Sequence, residues 1–181
     1  VADVSTLTSE VVGFDAFDAR RDELASAGIV LKKGVDPSTD LEPEYIAVSG
    51  GKAYITLQEN NAIAVLDLTS RTFDGIYSAG FEDYGVTPID IDKKDDAYAP
   101  RTYGSLMGIR MPDGIAAFQV DGKTYLVTAN EGDAREWGDE DLGTFYLSED
   151  EQDFGEEGVT SPTGAITGEN SGLEGKVVFF K

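Results

Sequence analysis

The feature that most restricts this chain is a series of short alternating segments separated by turn residues. In Lys52-Ala53-Tyr54-Ile55-Thr56-Leu57, Ala53, Ile55 and Leu57 fall on one side, and Tyr54 and Thr56 on the other. That is the period-two pattern of a half-buried β-strand. Ala62 to Leu68, rich in Ile63, Val65 and Leu66, reads as a second strand. Between them, Gln58-Glu59-Asn60-Asn61 reads as a polar hairpin turn in which Asn accepts a positive φ. Tyr45 to Ser49 precedes them across Gly50-Gly51, and Phe73 to Tyr77 follows. Four strands joined by such short turns make an antiparallel meander.

The pattern returns further along. Pro43-Glu44-Tyr45-Ile46-Ala47 is matched by Pro112-Asp113-Gly114-Ile115-Ala116, and Gly51-Lys52-Ala53-Tyr54-Ile55 by Gly122-Lys123-Thr124-Tyr125-Leu126. Glu59 then aligns with Glu131. A recurring four-stranded unit is how a propeller blade is written, although two ordinary hairpins could also coincide. The spacing exceeds that of compact blades, so an insertion is expected. The expected fold is therefore all-β: a partial β-propeller of four-stranded antiparallel blades with long loop insertions and one short helix. Residues 1–181 form one domain on this reading. A blade lies around 41–78, an insertion at 79–111 and the next blade from 112, with strands at 114–120 and 123–129.

The helix is expected over Arg20 to Ala27, capped by Asp15 or Asp18, stopped by Gly28 and followed by a strand at Ile29-Val30-Leu31. No Gly-rich phosphate loop follows Phe14, so a dinucleotide fold has no support. Residues 131–157 carry 12 acidic side chains against the single base Arg135. They read as a long acidic loop with one short element at Phe145-Tyr146-Leu147. Lys176 to Lys181 reads as an apolar strand.

Charge and missing residues restrict the chemistry. Lys and Arg total 14 and Asp and Glu 35, a net charge of −21. That field repels phosphate backbones and anionic lipid, so no nucleic-acid partner is expected. No apolar run reaches the roughly 18 residues that span a bilayer, so no membrane insertion is expected from this segment. Val1-Ala2-Asp3-Val4 does not read as a signal peptide, as would also hold for a mature or truncated chain. The chain has no Cys and no His. Thiolate and imidazole catalysis, disulfides and His- or Cys-ligated metals are thereby excluded within it. Any metal must be held by hard oxygens, which select calcium or magnesium.

Glu44 and Asp113 open matched strands, while Glu59 and Glu131 occupy matched turns. Acids recurring once per blade would ring the propeller axis and suit calcium, with turn chemistry as the plainer alternative. The expected metal ligands are Glu44, Asp113, Asn130, Glu131 and Asp133. The densest stretch is Asn130-Glu131-Gly132-Asp133-Ala134-Arg135, which either gathers calcium or closes on Arg135. Asp90, Asp92, Asp95 and Asp96 depart from an EF-hand loop, which needs a ligand where Lys94 stands and Gly where Asp95 stands. They read as a solvated loop.

Two stretches carry a family resemblance. Leu41-Glu42-Pro43-Glu44-Tyr45-Ile46 runs on through Tyr54 to Val65, and Met111-Pro112-Asp113-Gly114-Ile115-Ala116 is followed by Thr128 to Arg135. Together they resemble the choice-of-anchor I family, whose animal relatives are mesenchyme-specific cell-surface glycoproteins of biomineralising cells. The resemblance implies a YVTN- or WD40-like propeller, secreted or at the cell surface, with an adhesion, surface or mineral-associated role. The family domain is longer than this chain, which implies an internal segment whose partners are the remaining propeller blades and an extracellular ligand. Some members are described as alkaline phosphatase-like. That makes a calcium-dependent phosphatase or phosphodiesterase the alternative, with Arg101, Arg110 and Arg135 as available cations.

Overall fold

The computed structural model describes residues 5, 8–32, 34–91, 97–104 and 106–132. It also describes the backbone of four further strands, at Glu136–Asp139, Thr144–Leu147, Glu151–Asp153 and Val178–Phe180. The fold is all-β, with short helical segments at the start. β1 (Ile46–Ser49), β2 (Lys52–Leu57), β3 (Ala62–Asp67) and β4 (Thr72–Ser78) form the expected antiparallel meander, in sequential order. The register aligns Ile46, Ile55, Ala64 and Ile76 across the sheet, so one face is apolar from edge to edge.

That face is covered by the N-terminal segment. A 3₁₀ turn (Asp15–Arg20) leads into α1 (Arg21–Ser26), and Phe14, Phe17, Leu24, Ile29 and Leu41 pack onto Ala53, Ile55, Leu57, Ala62, Ala64 and Ile76. Phe14 stacks on Phe73 of β4 with ring centroids 4.5 Å apart, and Phe17 meets the same ring edge-on at 6.1 Å. The cover stops short of the β1 edge. Ile46 and Val48 share the apolar face yet remain 61% and 63% exposed.

Several expectations for this segment are corrected. The helical run is divided between 3₁₀ and α geometry, and neither Asp15 nor Asp18 caps it. The Asp18 carboxylate reaches across to Ser38 instead, accepting from its backbone N at 2.8 Å and its Oγ at 2.9 Å. Gly28 does end the helix, with φ 88°. Ile29 to Leu31 is no strand: Val30 docks by its N–H (2.9 Å) and its carbonyl (2.9 Å) onto Asn60. A second single-turn helix, α2 (Pro37–Asp40), follows. Tertiary hydrogen bonds here took both the acid and the strand edge that local rules assigned elsewhere.

The second hairpin, β7 (Pro112–Val120) with β8 (Lys123–Asn130), forms a separate sheet and lies against β1 and β2. Ser49 Oγ lies 3.3 Å from Thr124 Oγ1. Ile115, Ala117, Thr124, Leu126 and Thr128 are half-buried on the near side. The far side bears Phe118, Val120, Tyr125 and Val127, each 46–57% exposed, with Phe118 stacked on Tyr125 at 5.6 Å.

The region expected as a plain insertion has structure of its own. β5 (Phe81–Asp83) pairs with β6 (Met107–Ile109) in a short ribbon. Tyr103 and Leu106 are buried beside Tyr84, Ile89 and Ile91 in a small second core. The acidic region is also more ordered than expected. β9 (Glu136–Asp139) pairs with β10 (Thr144–Leu147), and β11 (Glu151–Asp153) with the terminal β12 (Val178–Phe180). Strand pairing depends on cross-strand context more than on the composition of one strand, which is why acid-rich segments escaped the pattern. Among the described residues no helix is long and apolar enough to cross a membrane.

The two Phe rings of the cover make the first prediction. Phe17 is 2% exposed, so Phe17→Ala should destabilise the domain by about 3–5 kcal/mol in urea denaturation. A loss below about 1 kcal/mol would mean that the N-terminal segment lies outside the cooperative core.

Candidate binding cleft

The cleft is built outward from the turn between β2 and β3. Gln58-Glu59-Asn60-Asn61 forms the expected polar hairpin turn, and its Asn60 and Asn61 are both fully buried. Asn60 Oδ1 accepts from Glu42 N at 3.1 Å, and its Nδ2 donates to Val30 O. Asn61 has φ 52°, as the turn requires. Its carbonyl accepts from Ala79 N (2.8 Å), its Nδ2 donates to Gly80 O (3.1 Å) and its Oδ1 accepts from Met111 N (3.0 Å). One side chain thus holds both ends of the 79–111 segment together.

From those ends the ribbon rises beside the end of β8. Glu131 N donates to Met111 O at 3.2 Å and Gly132 N to Arg110 O at 3.3 Å. Between the two lies a cleft of about 300 Å³, lined by Glu82, Tyr84, Gly108, Ile109, Arg110, Asn130, Glu131 and Gly132. A Cβ on Gly108 would come within 2.5 Å of the Tyr84 ring. Only glycine lets that ring lie across β6 and form a wall. Gly132 turns the chain at φ 64°.

Charge in the cleft is distributed unevenly. Arg110 donates to Ala79 O at 3.0 Å and Phe81 O at 3.4 Å, and pairs with Glu82 at 3.3 Å. Thr87 Oγ1 donates to the other oxygen of Glu82 at 2.7 Å. The Thr87 hydroxyl first, and Arg110 second, hold the Glu82 carboxyl below the usual carboxylate range. Asn130 Oδ1 accepts from Thr128 Oγ1 at 2.8 Å, leaving an acceptor lone pair. The Glu131 carboxylate has no partner among the described residues.

Of the expected ligands, the structure brings Asn130 and Glu131 into the cleft. Asp113 sits in a bulge of β7, where Asp113 and Gly114 together face Ala129 of β8. Glu44 is exposed just before β1, on the other sheet, with its N–H bonded to Thr56 O at 2.9 Å. Asp133 and Arg135 lie outside the described residues, as do Asp92, Asp95 and Asp96. Asp90 accepts from Ala99 N at 2.8 Å. Among the described residues no three acids gather as a metal cluster would. Glu59, in the turn matched to that of Glu131, buries its Oε2 with no hydrogen-bond partner among the described residues. Glu82, Tyr84 and Gly108 escaped the sequence reading because they belong to the insertion, which has no repeat to align. Arg110 had entered only as a cation available to phosphate. Its place directly before Met111-Pro112 was the available signal.

The family model for the choice-of-anchor I domain matches residues 1–173. The chain belongs to the choice-of-anchor I family. This is a family of surface-anchoring proteins. No curated protein and no solved structure matches the chain. The cleft therefore rests on the geometry of this family member itself.

A depressed carboxylate contributes stability above its unfolded pKa, and that contribution is lost as pH falls through the lower folded value. For Glu82 the window lies on the acid side of the ordinary carboxylate range. In a carbon-detected NMR titration, Thr87→Val should raise the Glu82 pKa further than Arg110→Gln does. The reverse order would mean that the ion pair dominates.

Proposed function

We propose that this chain is a calcium-carrying binding segment of a surface-anchored β-propeller, and that ligand enters the cleft between the β5–β6 ribbon and the end of β8. The observation that carries the reading is the meeting of Asn130 and Glu131 with the Tyr84 wall around that cleft. The donors suit a hard cation: the Glu131 carboxylate, and an Asn130 amide oxygen with a lone pair to spare. Two side chains do not complete a calcium shell of six to eight oxygens. Asp133 and oxygens of the ligand would supply the rest. The bound ion would then bridge protein and an acidic or hydroxylated ligand, consistent with an adhesion or mineral-associated role outside the cell. The hydrolase alternative needs a cation free to hold phosphate. Arg110 lines the cleft, but its guanidinium is committed to two carbonyls and Glu82.

The proposed partners of the sheets are further blades. The far side of β7–β8 repeats, one layer out, the side of β1–β2 on which β7 rests. Another sheet of the same kind would cover Phe118 and Tyr125 in the same way.

Calcium binding is tested by thermal melts with calcium and with chelator. Binding at a hundredfold excess over Kd contributes about 2.7 kcal/mol, a rise of roughly 5–11 °C for a chain this size. Glu131→Gln and Asp133→Asn should abolish the rise. If wild type and variants melt alike in both buffers, and calorimetry detects no calcium heat, the metal reading is wrong.

The blade contact is tested by sedimentation of these 181 residues. The segment should self-associate, and Phe118→Ser with Val127→Ser should reduce that association. A monodisperse wild-type monomer would contradict the proposal.

A further inference from the structure

We infer that Asn61 is the positioning residue of the cleft, acting on Glu131 through the backbone of Met111. The route is continuous: Asn61 Oδ1 accepts from Met111 N at 3.0 Å, and Met111 O accepts from Glu131 N at 3.2 Å. Met111 is 1% exposed and has φ 45°. A non-glycine residue held in that region is uncommon and persists only where its surroundings over-determine it. The two hydrogen bonds on either side of Met111 supply that determination. They turn its N–H toward the β2–β3 turn and its carbonyl toward the end of β8.

The same side chain sets the opposite wall. Asn61 Nδ2 donates to Gly80 O, and Asn61 O accepts from Ala79 N. Ala79 O in turn accepts from Arg110 Nη1 at 3.0 Å. The ribbon and the end of β8, which face each other across the cleft, are therefore both referenced to one residue. A primary amide suits this task because it carries a donor and an acceptor on one rigid plane. A carboxylate in its place would offer acceptors alone, and a hydrocarbon neither kind of group.

The substitutions separate positioning from simple support of the fold. Asn61→Gly keeps the positive φ accessible and removes only the amide, so the turn itself is preserved. Asn61→Asp retains an acceptor for Met111 N and loses the donor to Gly80 O. Hydrogen exchange followed residue by residue on the full chain is the measurement. In Asn61→Gly the amides of Met111 and Glu131 should exchange about tenfold faster or more, while those of Ile55 and Ala64 in the sheet keep their protection. In Asn61→Asp the Met111 and Glu131 amides should stay protected. Retained protection in Asn61→Gly, or loss spread equally over the sheet, overturns the inference, as does Asn61→Asp behaving like Asn61→Gly.

The inference rests on reading the cleft as the binding site, and calcium calorimetry on the same variants tells the two failures apart. If wild type binds no calcium while Asn61→Gly still frees Glu131, the metal reading fails and the positioning role stands. If wild type binds calcium and Asn61→Gly binds it equally with Glu131 protected, the positioning role fails.

Discussion

Two adjacent amide side chains in the β2–β3 turn hold together segments that the sequence keeps far apart. Asn60 and Asn61 have no solvent exposure, so each polar atom on them needs a protein partner. Leaving one unpaired would cost about 1–3 kcal/mol. The partners come from Val30, Asp40 and Glu42 on one side, and from Gly80 and Met111 on the other. Asp40, itself 4% exposed, also accepts from Lys32 N at 2.8 Å. The N-terminal segment, the four-stranded sheet and the ribbon thus share one buried polar junction. Apolar contact draws these layers together, and this junction adds directional bonds that help specify how they sit.

The apolar layers follow a simple order. The N-terminal helical segment covers one face of β1–β4, and β7–β8 lies against the strands β1 and β2. The β1–β4 and β7–β8 sheets each carry apolar side chains on both sides. At one end Phe14 and Phe17 enclose Phe73. At the other, Phe118 and Tyr125 stack on each other and Val127 is 57% exposed among the described residues. Uncovered apolar area of this kind is how a protein marks a surface for contact.

Electrostatics works on two scales here. The excess of acids gives the chain a net charge of −21 and a negative field at long range. Inside the cleft, geometry decides more than net charge does. Glu82 is held by Thr87 and Arg110, whereas the Glu131 carboxylate, on a residue tied by its backbone to Met111 on the same cleft, has no partner among the described residues. Two chemically identical side chains are made different by their hydrogen bonds.

The local alternation from Lys52 to Leu57 was sufficient to set the strands, because side chains on a strand alternate faces whatever surrounds them. For the same reason the paired motifs at Pro43 and Pro112 placed both hairpins within a residue or two. The absence of Cys and His limited the chemistry to oxygen and cationic groups before any fold was known. Asn130 and Glu131 drew notice in the sequence because they stand where a strand ends and a repeat recurs, and the structure puts both on the cleft. What the sequence alone left open was every relation between distant segments. The burial of Asn61, the use of Asp18 by Ser38 and the wall made by Tyr84 over Gly108 each join residues far apart in the chain. Such pairings leave no periodic trace, since a hydrogen bond needs only two groups at the right distance, and only the folded chain brings them there.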